Sequence, residues 1–317
     1  MVVRLKIFSG RWGKSLSEEI CQKLGVTIGK SSTVKFKNGN SFVKIEENVR
    51  DMDCFLIHCI GENVNDDVME MLIMVDALRR ASAKRITVVV PYFFYARSDK
   101  KDQPRISITA RLLADLLEAA GIDRVLTMDL HSEQIMGFFK KPVDQVSGLS
   151  VLCQYFADKN LENLVVVAPD AGGAKRARTF SWALDAGLAI IDKKRIGNED
   201  KTVSSGIIGD VRDKTAIIID DEIDTGGSIV NSIEMLLEAG AKEVYAACTH
   251  PVFSATAVEK MQGCKATEVV VTNSVPIRKD YDEKKIVVLT VADVLSKSIN
   301  SIHSGTSVSS VLDKYKY

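Results

Sequence analysis

Ala216-Ile-Ile-Ile-Asp-Asp-Glu-Ile-Asp-Thr-Gly-Gly-Ser228 joins an apolar run, a carboxylate pair and a glycine turn without a break. Ala216 to Ile219 read as a buried parallel strand, because a continuous apolar run leaves no polar face for water. Asp220 and Asp221 stand at its carboxyl end, Asp224 opens the turn Thr225-Gly226-Gly227-Ser228, and Ile229 to Ala239 carries helical periodicity. In an open α/β sheet, ligands gather where strands end and helices begin. Glycines there let the backbone approach closely, and unpaired amides point at the guest, which suits a phosphate. Carboxylates repel phosphate, so Asp220 and Asp221 suit neighbouring hydroxyls or a metal-bound ribose instead. The chemistry is that of a sugar-phosphate loop. A plain strand-to-helix turn with a capping serine is the alternative, but it leaves the crowding of Asp220, Asp221, Glu222 and Asp224 without purpose. No Gly-Lys-Ser/Thr follows the glycines and no G-x-G-x-x-G occurs here, which excludes a Walker loop and a dinucleotide fingerprint.

A chain of 317 residues is long for one core and comfortable for two domains. Its Lys+Arg and Asp+Glu totals are equal at 42 each, so no global field draws it to nucleic acid or an anionic membrane. No apolar run reaches membrane-spanning length. The opening Met1 to Gly10 reads as a first strand, since Arg4 and Lys6 break its apolar stretch. The six cysteines are scattered, as expected of reduced thiols in a cytoplasmic protein. Cys54 and Cys59 bracket His58, but at a spacing that fits no common zinc pattern and within a run that reads as a buried strand.

Toward the amino terminus, short β-rich runs alternate with helical periods, the plan of an α/β protein. Strands are expected at Val2 to Phe8, Cys54 to Ile60 and Ile86 to Val90, with helices at Ser15 to Leu24 and Asp66 to Ala81. Asn38-Gly39 between Thr33 to Phe36 and Ser41 to Ile45 predicts a hairpin. An internal repeat links the halves. Leu116-Leu-Glu-Ala-Ala-Gly-Ile-Asp-Arg-Val125 resembles Leu236-Leu-Glu-Ala-Gly-Ala-Lys-Glu-Val244, and each leads to a strand ending in a histidine, His131 and His250. That offset is too long for a solenoid and predicts two similar domains, residues 1–147 and 148–317.

Three further stretches bring the chain to a family. Asp129-Leu-His-Ser-Glu-Gln-Ile-Met-Gly-Phe-Phe-Lys-Lys-Pro142, Pro169-Asp-Ala-Gly-Gly-Ala-Lys175 and Asp220 to Ser228, in this order, resemble the ribose-phosphate pyrophosphokinases, from about Phe8 to Ser309. The resemblance implies two phosphoribosyltransferase-like domains, each a mostly parallel sheet flanked by helices. It implies transfer of the β,γ-diphosphoryl group of Mg-ATP to the C1 hydroxyl of ribose 5-phosphate, with release of AMP. His131 and Asp170 become the Mg²⁺ ligands; histidine is an unusual magnesium partner, and a buried structural histidine is the plain alternative. Lys193 and Arg195 match the catalytic pair and would lie on a mobile loop continuing through Gly197 to Lys201, closing over the triphosphate. The sugar phosphate would be held by Arg195, Asp220, Asp221, Asp224, Thr225, Gly226, Gly227 and Ser228.

ATP is expected at the hairpin tip Asn38-Gly39-Asn40, with Phe36 beside it, and at Arg97-Ser98. In the family this hairpin comes from a neighbouring subunit, so a homo-oligomer, typically a hexamer, completes the site. The family usually has glutamate where Asn40 stands and glutamine where Ser98 stands, which shortens or removes a contact to the nucleotide. Arg50, Ser82, Arg105, Ser307 and Ser309 match positions that bind inorganic phosphate, an activator, or ADP, an inhibitor; serine is usual where Asn48 stands. Two other readings share the fold: a phosphoribosyltransferase that consumes the product, and a catalytically silent subunit paired with active relatives.

Overall fold

The computed structural model describes residues 4–195, 202–277 and 279–309, and divides into two compact units. The first runs from the amino terminus to Ser147. It holds β1 (Leu5–Ser9), α1 (Lys14–Leu24), β2 (Ser31–Lys35), β3 (Ser41–Ile45), β4 (Asp53–Ile57), α2 (Val64–Arg80), β5 (Arg85–Val90), α3 (Thr109–Ala120), β6 (Arg124–Met128) and β7 (Val143–Val146). Five of these strands form an all-parallel sheet in the order β1-β4-β5-β6-β7, while β2 and β3 pair separately as the antiparallel hairpin announced by Asn38-Gly39. Local signals start and stop the elements. The Asn63 side chain caps α2 by accepting from the amides of Asn65 and Asp66, and Asp66 and Asp67 in the first turn oppose Arg79 and Arg80 in the last.

The second unit begins at Gly148. It holds α4 (Leu149–Asp158), β8 (Leu164–Ala168), α5 (Ala174–Ala183), β9 (Gly187–Arg195), β10 (Thr202–Ile208), β11 (Thr215–Ile223), α6 (Gly227–Glu238), β12 (Glu243–Pro251), α7 (Ala257–Gly263), β13 (Val269–Thr272) and β14 (Ile286–Leu289). Its sheet runs β10-β9-β8-β11-β12-β13-β14 and is parallel except for β10 against β9. The apolar run of β11 serves both faces, as the period of two in a strand requires. Ala216 and Ile218 pack with Ile229, Ile233 and Leu236 of α6, while Ile217 and Ile219 pack with Phe156 of α4 and Phe180 of α5. Burying a strand on both sides is what makes its sequence uniformly apolar.

The final helix, α8 (Ala292–Ser304), corrects the domain limits expected from sequence. Residues 148–317 do not form one domain: Ser274–Pro276 and the described stretch from Val291 onward cluster with the first unit. The physical reason is the carboxylate of Asp53, which is buried at 2% exposure and takes its partners from a distance. Arg85 Nε donates to it at 2.7 Å, the Arg85 Nη2 also donates to the carbonyl of Ile302 at 2.9 Å, and His303 Nδ1 lies 2.7 Å from Asp53 Oδ2. Lys23 of α1 adds an ion pair to Asp293 of α8 at 3.6 Å.

Candidate functional site

β11 runs further than its apolar core. Asp220, Asp221 and Glu222 are strand residues, with Asp220 opposite Cys248 and Glu222 opposite His250 of β12. On its other edge, β8 pairs with β11 only as far as Ile218, so the acids extend past the end of that neighbour. The turn after them is short. Asp224 Oδ1 accepts from the hydroxyl of Ser254, and the amide of Ser254 donates to the Asp224 carbonyl at 3.1 Å. Gly226 adopts φ +76°, a left-handed conformation in which a side chain would be strained, and a Cβ there would stand 2.8 Å from Met261 Cε. Gly226, not Ser228, is the capping residue of α6, and being a glycine it brings no side chain to the cap. The helix dipole adds positive potential at this end. An anion fits this end of the helix.

Asp220 and Asp221 are held against each other. The Asp221 amide donates to Asp220 Oδ1 at 2.9 Å; Asp221 is 7% exposed, and the Asp220 side chain keeps 26% of its exposure. Arg176, from the first turn of α5, donates through Nη1 to Asp221 Oδ1 at 3.1 Å and lies 3.5 Å from Asp220 Oδ1. Burial pushes the Asp220 carboxyl well above the usual range, the neighbouring Asp221 raises it further, and Arg176 opposes both. Cys248 beside them is likewise raised by burial and by Asp220.

Asp170 follows β8 and caps a single 3-10 turn, Ala171–Gly173, by accepting from the Gly173 amide at 3.1 Å. Its carboxylate is exposed. His131 follows β6 in the first unit and is exposed as well, which removes the reading of it as a buried structural histidine. The turn that presents it is set by Asp129, at φ 37°, whose Oδ1 accepts from the Ser147 hydroxyl at 2.7 Å. The backbone of Lys193 and Arg195 continues β9, in register with Ser204 and Thr202 of β10, so these residues extend a strand rather than open the expected loop. The rest of that loop, Gly197 to Lys201, lies outside the described residues.

At the hairpin tip, Asn38 Oδ1 accepts from the Asn40 amide at 3.1 Å, Gly39 takes φ +88°, and the rings of Phe36 and Phe42 approach to 6.1 Å. Phe36, Asn38, Gly39 and Asn40 are all exposed. Arg97 is exposed beyond β5, and Ser98 is tied by its carbonyl to the amide of Ala110 at 3.2 Å. Of the regulatory positions, Arg50 and Ser82 are neighbours, since the Asp51 amide donates to the Ser82 carbonyl at 3.0 Å. Arg105 (φ 69°), Ser307 and Ser309 stand on exposed stretches. The thiols of Cys54 and Cys59 are pushed up to about 12, chiefly by burial, and no cluster of three metal-binding side chains occurs among the described residues.

Residues 5–121 match the N-terminal domain of ribose phosphate pyrophosphokinase, and residues 198–313 match the phosphoribosyl synthetase-associated domain. The ribose-phosphate pyrophosphokinase of Clostridium acetobutylicum is 49% identical over 98% of this chain and 98% of its own length. The chain belongs to the ribose-phosphate pyrophosphokinase family. The chloroplastic ribose-phosphate pyrophosphokinase 1 of Oryza sativa is 47% identical over 96% of this chain and 78% of its own length. The solved phosphoribosylpyrophosphate synthetase of Mycobacterium smegmatis superposes with a TM-score of 0.89 at 40% identity, covering 95% of this chain and 99% of that one.

Within this ribose-phosphate pyrophosphokinase fold, the second unit brings together Asp220, Asp221, Asp224 and the start of α6 on one strand end. Arg176 belongs to the same cluster and was not singled out from the sequence. A signal was present: Lys175 and Arg176 stand in the first turn of α5, where the helix dipole disfavours cations, and that turn contains no acid. Cations placed against the dipole point to acids elsewhere in the fold.

Proposed function

We propose that this chain transfers the diphosphoryl group of Mg-ATP to the C1 hydroxyl of ribose 5-phosphate, producing phosphoribosyl pyrophosphate and AMP. The observation that carries this reading is the end of β11, where half-buried Asp220 and buried Asp221 precede a glycine turn that opens helix α6, in a chain of this family. The amides of Gly227 and Ser228 and the turn at Thr225 and Gly226 receive the 5-phosphate. Asp220 and Asp221 accept hydrogen bonds from the ribose hydroxyls, which orients the C1 oxygen for in-line attack on the β-phosphorus. Lys193 and Arg195 neutralise charge that builds on the phosphates in the transition state.

Each proposed Mg²⁺ ligand is open within its own unit: Asp170 is exposed with one oxygen engaged by its own turn, and His131 is exposed; a cation that keeps several waters needs no more than one or two protein ligands. Mg²⁺ would supply charge neutralisation for the phosphate oxygens. ATP lies against Arg97, Ser98, Phe36 and the tip Asn38 to Asn40, with the hairpin contributed by a second copy. Val34, Phe36 and Phe42 are each about half exposed, an apolar surface on a two-stranded hairpin that supports homo-oligomer formation, with a hexamer as the expected size. Arg50, Ser82, Arg105, Ser307 and Ser309 form the regulatory phosphate set, and the chain works in the cytoplasm.

The test follows AMP release from Mg-ATP with and without ribose 5-phosphate, and with and without inorganic phosphate. AMP formed only with the sugar phosphate supports the reading. No AMP under any of these conditions, with sugar-phosphate binding retained, would replace it by a silent subunit that needs an active relative.

A further inference from the structure

The acid pair at the end of β11 is electrostatically frustrated without help. Two carboxylates on adjacent residues, both largely withdrawn from water, favour sharing a proton, and a shared proton turns one acceptor into a donor. Vicinal sugar hydroxyls are best bound by acceptors on both sides. Arg176 is the described cation that meets both acids, at 3.1 Å from Asp221 Oδ1 and 3.5 Å from Asp220 Oδ1. It comes from a different element, α5, and keeps only 21% of its side-chain exposure. Its position in the first turn of that helix is unfavourable to the helix itself, so the contact with β11 accounts for its placement. Geometry adds a second role. Both the Asp221 amide and Arg176 address Asp220 through Oδ1, so contacts from two different elements orient the carboxylate. Among the described residues, the titratable neighbours on the two strands are Cys248, raised by burial, and the cross-strand pair Glu222 and His250. None of these is a permanent cation.

We propose that Arg176 is a positioning residue for the sugar: through its contacts with both carboxylates it holds Asp220 and Asp221 as a fixed pair of acceptors for the vicinal hydroxyls of ribose 5-phosphate. The inference rests on the proposed sugar-phosphate role of the β11 end. It goes beyond that role by assigning a residue that does not touch the substrate but sets the state of those that do.

The experiment compares the full-length wild type with Arg176→Gln and Arg176→Lys, measuring AMP-release kinetics, ribose 5-phosphate affinity by calorimetry and thermal melting. Arg176→Gln is expected to raise KM and Kd for ribose 5-phosphate by roughly tenfold or more, with KM for ATP changed less than about twofold. Arg176→Lys restores a charge but not the planar two-acid geometry, and is expected to recover part of the loss. If Arg176→Gln melts too low to assay, Arg176→Lys alone carries the test, with a severalfold rise in the sugar KM expected. Unchanged sugar KM and Kd in either assayable variant would overturn the proposal, as would an equal rise in the ATP KM. A wild type that neither binds nor turns over the sugar phosphate would overturn the activity itself. An active wild type indistinguishable from Arg176→Gln would overturn only the role of Arg176.

Discussion

In the first unit, α3 closes at Gly121 (φ +108°) and the Ile122 amide returns to the Leu117 carbonyl at 3.4 Å; in the second, α6 closes at Gly240 (φ +92°) and the Ala241 amide returns to Leu236 at 2.9 Å. The two copies of the repeat thus share a helix-end motif, with glycine in the left-handed position and the same six-to-one bond. Each then enters a parallel strand, and there they part. β6 stops at Met128, and Asp129 turns the chain so that His131 is exposed. β12 continues through Thr249 and His250 to Pro251, and His250 is 2% exposed. The neighbours account for the difference. β12 lies beside the nine residues of β11, which pair with it as far as Ile223, whereas β6 ends beside the four-residue β7. A strand runs on while a partner supplies hydrogen bonds, and a histidine's fate follows from where the partner stops.

The largest effect is expected outside both copies. Lys193→Ala should lower turnover on the order of 1,000-fold while ribose 5-phosphate affinity changes little, because its charge acts in the transition state. Single-turnover AMP formation and calorimetry check this, and a lost sugar affinity with turnover preserved would contradict it. Next come the two histidines, on which the comparison can be broken directly. His131→Ala should reduce kcat/KM on the order of 100-fold with a stability change below about 0.5 kcal/mol, since the side chain is exposed. His250→Ala should cost about 2 kcal/mol or more in denaturant titrations, because it empties a buried position. Equal destabilisation by both would mean that the copies are alike after all.

A smaller effect concerns the acids beside His250. Burial and Asp221 outweigh Arg176 at Asp220, so the folded chain releases that proton at higher pH than the unfolded one and stability should fall as pH rises through that window; above it Asp220 is the ionised acceptor that the sugar requires. Asp220→Asn should flatten this slope and raise the melting temperature by about 2 °C above the window, at the expense of sugar binding. Melting curves from pH 4 to 9 decide it: a slope that survives the substitution assigns the titration elsewhere. The smallest effect sharpens what the copies share. Gly121→Ala and Gly240→Ala should each cost about 1 kcal/mol from the left-handed backbone. Gly121→Ala should cost slightly more, because a Cβ there meets Arg79 Cδ at 2.5 Å, whereas at Gly240 the nearest atom is 3.5 Å away.

Much of this arrangement is local and can be read along the chain. The apolar run into Asp220, the glycines of the turn, the Asn38-Gly39 hairpin and the helix-end glycines each act over a few residues, and each stands where its pattern places it. The candidate site is legible to the extent that it lies on such turns: the acids and glycines of the Asp220 to Ser228 stretch mark a loop suited to a sugar phosphate, whereas His131 and Asp170 became candidates only through the resemblance to the family. Arg176 escaped because its partners are on a strand more than forty residues later, 45 positions to Asp221. Its only local trace is a cation at the wrong end of a helix.

By itself, then, the sequence determined the alternation of strands and helices, the acid-and-glycine strand ends and the family to which they belong, because these depend on period, backbone freedom and residue chemistry. Only the tertiary structure decided that α8 returns to the first unit, that β11 carries its acids as strand residues, that His131 is open while His250 is buried, and that Arg176 joins Asp220 to Asp221. The physical reason is common to all four. Each is settled by a partner distant in sequence, whether Asp53 waiting for His303, a neighbouring strand of a given length, or a cation from another helix, and a partner's position exists only once the chain has folded.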